Sequence, residues 1–264
     1  MANLPARMAL PGFIFLCAQA ALGAGTVSLL PSDTEILYAL GETPVCVTKF
    51  CPQPRDKKIP VCGDNFAPDI ERIAVLKPDL VLVGGTKFSQ AAARLEKLGL
   101  NVLETPEPRD IDGIFESIRA IGRKTAKSGQ AETLIKNLRA KLAEIKIKDK
   151  AEKPKVYVEI DANRWTAGAN SYISDLLRRA GGRNIFDDMP MDYGKVAWES
   201  VIARKPEFII DLSFAGTDFG KLPGADLVPA IKNRRVLRIE DKDKYLRPSV
   251  NFPDAVKELG ALLK

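Results

Sequence analysis

A pattern occurs twice in this chain, half a chain apart, and it limits the folds available. The first copy reads Asp69-Ile70-Glu71-Arg72-Ile73-Ala74-Val75-Leu76-Lys77-Pro78-Asp79-Leu80-Val81-Leu82-Val83. The second reads Ala197-Trp198-Glu199-Ser200-Val201-Ile202-Ala203-Arg204-Lys205-Pro206-Glu207-Phe208-Ile209-Ile210-Asp211. Glu71 matches Glu199, and Lys77-Pro78 matches Lys205-Pro206, at one constant offset (199 − 71 = 128 and 205 − 77 = 128). Each copy carries the same physical instructions. A short amphipathic helix turns apolar residues inward. A Lys-Pro step ends it, because proline lacks a backbone N–H and disfavours helical geometry in the residue before it. A run of apolar, mostly β-branched residues then reads as a buried strand. One such unit is commonplace in α/β proteins; two in matched positions predict two similar lobes.

A length of 264 residues suits one large domain or two smaller ones. Apolar residues at 45% and charged residues at 28% are the proportions of a soluble globular protein. The net charge of +6 is mild. Lys and Arg are scattered among acids, which argues against a nucleic-acid binder. Histidine is absent. The chain therefore lacks the commonest general base and the commonest zinc ligand. No paired carboxylates, metal cluster or phosphate loop make up for it, so an enzyme on this scaffold is disfavoured. Gly84-Gly85-Thr86-Lys87 closes a strand without phosphate-loop spacing and reads as a loop at the sheet's carboxyl edge.

Residues 1–24 read as an export leader: Arg7 is basic, Met8 to Leu22 is mostly apolar, and small residues follow at Gly23 to Gly25. The apolar run is too short for a comfortable transmembrane helix. Cys17 opens a lipoprotein alternative, but Phe15 and Leu16 stand where such signals want small residues, so a soluble exported protein is expected. Export then permits a disulfide among Cys46, Cys51 and Cys62. Cys46 sits in an apolar alternation and reads as a buried strand residue. Cys51 and Cys62 flank a proline-rich loop and are the expected pair, worth roughly 2–3 kcal/mol. A metal site from the three thiolates fits no standard spacing.

Strand–helix alternation fills residues 26–110 and predicts a mainly parallel sheet with ligands at the strands' carboxyl ends. Thr26 to Leu30 reads as a strand, and Ser32 with Glu35 as a capping box for the helix after it. Residues 111–153 form a helical connector. One helix spans Ile111 to about Lys124, and a second starts with Ser128 as its cap and runs to about Lys148. Roughly 20 residues span about 30 Å, so this is a stiff rod between lobes. Residues 154–264 repeat the α/β alternation. The fold class is therefore α/β: two Rossmann-like lobes joined by a long rigid helix.

Several motifs, in order, resemble one family. They are Ser28-Leu29-Leu30-Pro31-Ser32-Asp33-Thr34-Glu35-Ile36-Leu37, the Glu71 repeat, the connector from Ile121-Gly122-Arg123, and Gly181-Gly182-Arg183-Asn184-Ile185-Phe186. Together they resemble the periplasmic substrate-binding proteins of cobalamin and iron-siderophore ABC importers, the cobalamin-binding members most of all. The resemblance covers nearly the whole mature chain. It implies a bilobed binder that closes little on its ligand. It also implies that one exposed glutamate per lobe, here Glu71 and Glu199, docks onto a membrane permease; taken alone, either would be an ordinary solvated helix residue. Ligand contacts are implied at Pro31, Ser32, Asp33, Phe50, Phe66, Trp165, Tyr193, Tyr245 and Arg247. Aromatic faces suit a large flat ligand, and a few polar groups fix its orientation. The expected ligand is a corrinoid, with no resident cofactor, and the expected partner is an inner-membrane ABC permease. The protein is expected to act as a monomer in the periplasm, without nucleic acid. The alternative is an iron-siderophore or haem, for which Arg247, Lys49 and Lys87 would make a basic cleft.

Overall fold

The computed structural model describes residues 25–85, 89–147 and 152–264. The expected leader, with Cys17, and Lys87 lie outside these residues.

In the first lobe β1 (Thr26–Ser28), β2 (Cys46–Val47), β3 (Leu80–Gly84) and β4 (Val102–Thr105) form a parallel sheet in the order β2-β1-β3-β4. Helices α1 (Pro31–Ala39), α2 (Ile70–Leu76) and α3 (Ser89–Lys97) join its strands. Two helices follow, α4 (Ile111–Lys124) and α5 (Ser128–Glu144). The second lobe opens with β5 (Lys155–Glu159), β6 (Trp165–Ala167), α6 (Tyr172–Arg179), β7 (Arg183–Asn184) and β8 (Tyr193–Lys195). It continues with α7 (Trp198–Arg204), β9 (Phe208–Asp211), α8 (Pro229–Lys232), β10 (Val236–Arg238), α9 (Asp243–Leu246) and α10 (Phe252–Leu262). Its main sheet is parallel, ordered β7-β5-β9-β10 when read from one edge, the same topology as the first lobe. Strands β6 and β8 form a separate antiparallel ribbon.

Strand alternation divides the core. Leu80 and Leu82 of β3 face the connector side, and Val81 and Val83 face the opposite layer with Ile70, Ile73, Cys46 and Cys62. In the second lobe Val156, Val158 and Ile210 face the connector side, while Tyr157 and Ile209 face Trp198 and Val201. The connector-side core is continuous across both lobes. It runs from Ile36 and Leu82 through Ile114 and Ile118 of α4 to Leu176, Ile210 and Phe252. Full burial of a side chain such as Ile114 is worth roughly 2 kcal/mol, so this shared core resists parting of the lobes.

Helix α5 is shorter than the sequence predicts, ending at Glu144, with Ser128 as its first helical residue and Lys127 in the cap position. Its 17 residues span about 25 Å. The deeper link is α4, against which α5 packs closely: a Cβ on Gly122 would lie 2.6 Å from the Cβ of Ala131. Arg139 of α5 also lies over the Phe115 ring of α4 at 4.9 Å.

Both repeated helices stop as the Lys-Pro steps require. Lys77 and Lys205 adopt left-handed backbone, φ 46° and 49°, because the following proline disfavours right-handed helix there. Two other expectations are corrected. The capping box is not formed: Leu30 is the cap of α1, Pro31 takes the first helical position, and Glu35 points to the other lobe. The disulfide joins Cys46 to Cys62, not Cys51 to Cys62. Cys46 on β2 and Cys62 lie in the same buried layer, with Cα atoms 6.0 Å apart. Cys51 packs beside Val47 and Ile59, a free buried thiol close to the Thr48 hydroxyl at 3.2 Å.

Candidate functional site

The carboxyl ends of the two parallel sheets meet at a cleft. It has two adjoining halves, of about 380 and 280 Å3. Glu107, Pro108, Leu246 and Pro248 line both halves and form the ridge between them. A shallower hollow of about 550 Å3 continues along Glu104, Pro106, Arg109 and Asp192. A separate hollow of about 440 Å3 lies on the connector, between α5 and α10, and holds no predicted site residue.

The first-lobe half is built on the turn from β1 into α1. Leu30, Pro31, Ser32 and Asp33 line it, with Asn65, Phe66, Gly84 and Gly85. Gly84 is required there, because a Cβ would lie 1.7 Å from Cδ1 of Leu30. Asp33 is 3% exposed, and its Oδ2 accepts a hydrogen bond from Thr105 at 2.7 Å. Burial raises its pKa to about 6, against the lowering effect of that hydrogen bond. Phe66, by contrast, is 83% exposed at the rim.

The second-lobe half is lined by Ile160, Asp161, Trp165, Ile173 and Tyr193. The β6–β8 ribbon fixes both aromatics, with Ala167 opposite Tyr193 and Trp165 opposite Lys195. Trp165 keeps 44% of its surface exposed, a ready apolar face. Burial holds the Tyr193 phenol well above its ordinary pKa, so it stays protonated.

Three predicted positions have roles of another kind. Tyr245 is 1% exposed and packs in the core under the loop, so it presents nothing to the cleft. Phe50 does not line either half; its carbonyl accepts from Nη2 of Arg247 at 3.2 Å, and Lys49 sits over its ring. Arg247 lines the cleft, but its guanidinium is engaged by Glu35 at 3.4 Å and Asp243 at 2.8 Å. Glu35 also accepts from Asn251 at 2.9 Å and from the Ser249 hydroxyl. These contacts clasp the first lobe to the second. Burial raises the Glu35 pKa, against the lowering effects of Ser249 and Arg247. A second bridge, Arg109 to Asp192 at 3.0 Å, crosses the hollow.

Glu107, Pro108, Asp161 and Pro248 were not among the contacts expected from the sequence. They directly follow β4 and β5 or precede the last helix. The placement of ligands at strand carboxyl ends would have found the first three. Glu71 and Glu199 are exposed in the first turns of α2 and α7, and neither forms an ion pair among the described residues.

Residues 27–242 match the family model described as periplasmic binding protein, and the chain belongs to that family. It is an ABC-transporter substrate-binding protein, of a kind that binds small solutes outside the cytoplasm and serves a membrane permease; members of the family are not enzymes. The chain is 28% identical over 247 residues to the uncharacterised ABC transporter substrate-binding lipoprotein YvrC of Bacillus subtilis, covering 89% of this chain and 78% of that protein. It is 30% identical over 195 residues to the vitamin B12-binding protein of Salmonella paratyphi A, covering 72% and 73%. Among solved structures it is similar to a possible iron-binding periplasmic solute-binding protein of Staphylococcus epidermidis, with a TM-score of 0.79 and 28% identity, covering 91% and 98%.

Proposed function

We propose that this protein captures a corrinoid in the cleft between its lobes and delivers it to an inner-membrane ABC permease. The observation that carries this is the make-up of the walls. Trp165, Tyr193 and Phe66 offer flat apolar faces, and prolines 31, 106, 108 and 248 add rigid apolar surface. Such surfaces bury a broad planar macrocycle at low entropic cost. Pro31, Ser32, Asp33, Trp165 and Tyr193 are the assigned ligand contacts. Arg247 is assigned the clasp, and Glu71 and Glu199 the permease contacts. The leader at 1–24 is taken as removed on export, which N-terminal sequencing of the mature protein checks.

Iron chelates are the second reading, supported by the likeness to the Staphylococcus epidermidis protein. The cleft speaks against its anionic forms. Arg247 is neutralised by carboxylates, Lys49 sits over Phe50, and the chain has no histidine to ligate haem iron. Tyr245 is buried in the core, so it offers no phenolate to the cleft.

Titration of the mature chain with cyanocobalamin, haemin and a ferric siderophore, read by tryptophan quenching, tests the assignment. Corrinoid binding at micromolar concentration or tighter is expected, with quenching reduced in Trp165→Phe. Binding of haemin or the ferric siderophore with no corrinoid binding would sink it.

A further inference from the structure

The chain carries a net charge of +6, yet the charges that line its cleft among the described residues are mostly of the opposite sign. Asp33, Asp161, Glu104 and Asp192 line its halves and the adjoining hollow. Against them, among the described residues, stand only Arg109 and Arg247. Both are already paired, Arg109 with Asp192 and Arg247 with Glu35 and Asp243. The surplus carboxylates lie on both sides. Asp33 belongs to the first lobe, nearly sealed from water, with only its Oδ2 held, by Thr105. Asp161 belongs to the second, at the end of β5, with Oδ1 taking the Asn163 N–H at 2.6 Å.

A carboxylate facing a half-closed cavity interacts with a ligand charge through a medium less polar than water. In such a medium an opposite ligand charge is attracted, and a like charge repelled, more strongly than in bulk water. The sign of the ligand's charge is therefore selected as well as its shape. Corrinoids differ in that charge. A cobalt(III) corrin with one cyanide ligand bears one net positive charge. Attaching the nucleotide loop adds a phosphodiester and cancels it. Haem adds two carboxylates instead.

Resting on the corrinoid assignment, we propose that the cleft is charge-selective. It takes a cationic corrinoid that lacks the nucleotide phosphate in preference to the phosphodiester-bearing form. It rejects dianionic macrocycles. Asp33 and Asp161, one from each lobe, set the preference.

The test is calorimetric titration of the mature chain with aquocyanocobinamide, cyanocobalamin and haemin, at low salt and at 0.5 M salt. At low salt aquocyanocobinamide is expected to bind at least tenfold more tightly than cyanocobalamin, and the ratio should shrink in high salt. Asp161→Asn should narrow it severalfold, and Asp33→Asn should narrow it further. Circular dichroism checks that Asp33→Asn folds. Should it fail to fold, the exposed-side variant Asp161→Asn carries the test alone. Equal affinity for the two corrinoids, or a ratio that neither variant moves, overturns the charge selection and leaves the corrinoid assignment standing. Binding of neither corrinoid strikes the assignment and the selection together.

Discussion

The two lobes share a strand order and a repeated helix, yet they hold their cleft-facing segments by different means. In the first lobe, the segment between β2 and α2 is stapled by the Cys46–Cys62 disulfide and by backbone bonds such as Lys49 N–H to Gly63 O at 3.0 Å. Its aromatic, Phe66, stands out in solvent. In the second lobe, the matching segment between β7 and α7 contributes β8, which pairs with β6 and locks Tyr193 into a ladder. Where β3 ends in Val83 and Gly84, the matching β9 ends in Asp211, paired in register with Glu159 of β5. Those two buried carboxylates accept from Ser213, Thr217 and Tyr157 and so order the loop after β9. The repeated chassis thus fixes where the cleft lies, and the inserted segments fix what it offers a ligand.

The largest effect that separates the lobes should come from the staple. Replacing Cys46 and Cys62 together by alanine removes a cross-link 16 residues apart and buried sulfur contacts. The expected loss is about 4 kcal/mol, roughly 3 from the loop and 1 from packing. Hydrogen exchange should then rise first in residues 46–69 and not in the β6–β8 ribbon. Uniform loosening would contradict the division. Thiol titration of the native protein should find Cys51 reactive only after denaturation, because it is buried.

A smaller effect concerns Asp33, the buried carboxylate of the first lobe's half of the cleft. Its folded pKa, about 6, lies above the usual 3.8. The folded state thus favours the protonated acid. The associated stability is fully present below about pH 4 and is lost as pH rises through 6, by about 3 kcal/mol. Asp33→Asn should therefore match the parent near pH 4 and exceed it by up to that amount at pH 7.5, in denaturant melts. Glu35, also raised by burial, leaves both proteins a residual slope of the same sign. A variant no more stable at pH 7.5 than the parent would show that Asp33 is ionised without cost.

The smallest effect should be shared equally. Glu71→Lys and Glu199→Lys are each expected to weaken association with the reconstituted permease by about tenfold, leaving ligand affinity unchanged. Pull-down at graded salt measures it, and unaltered association in the double variant removes both residues from the permease contact.

The frame was legible because periodicity and backbone chemistry act locally. Helix α4 occupies Ile111–Lys124 as its apolar spacing indicates, and both Lys-Pro steps end helices. The resemblance placed Pro31, Ser32, Asp33, Phe66, Trp165, Tyr193 and Arg247, and all seven line the cleft. What failed depends on long-range geometry. Cys51 and Cys62 flank one loop in sequence, but Cys46 lies on β2 in the same buried layer as Cys62. Ser32 and Glu35 have capping-box spacing, yet Glu35 finds stronger donors 212 to 216 residues away. Tyr245 and Arg247 are two residues apart, and a short helix turns one inward and the other toward the first lobe.

The clasp at Glu35 has a mechanical consequence. Arg247, Ser249 and Asn251 tie α1 to the last helix, and the continuous core behind them leaves no loose hinge. A frame tied in this way gives a solute its cleft without a sweeping movement of the lobes. Unloading is the harder step. A stiff body does not let go by relaxing; it must be pried. On the proposed assignment of Glu71 and Glu199, leverage applied at α2 and α7 would load this knot of four side chains, and its strength would set how hard the transporter has to pull.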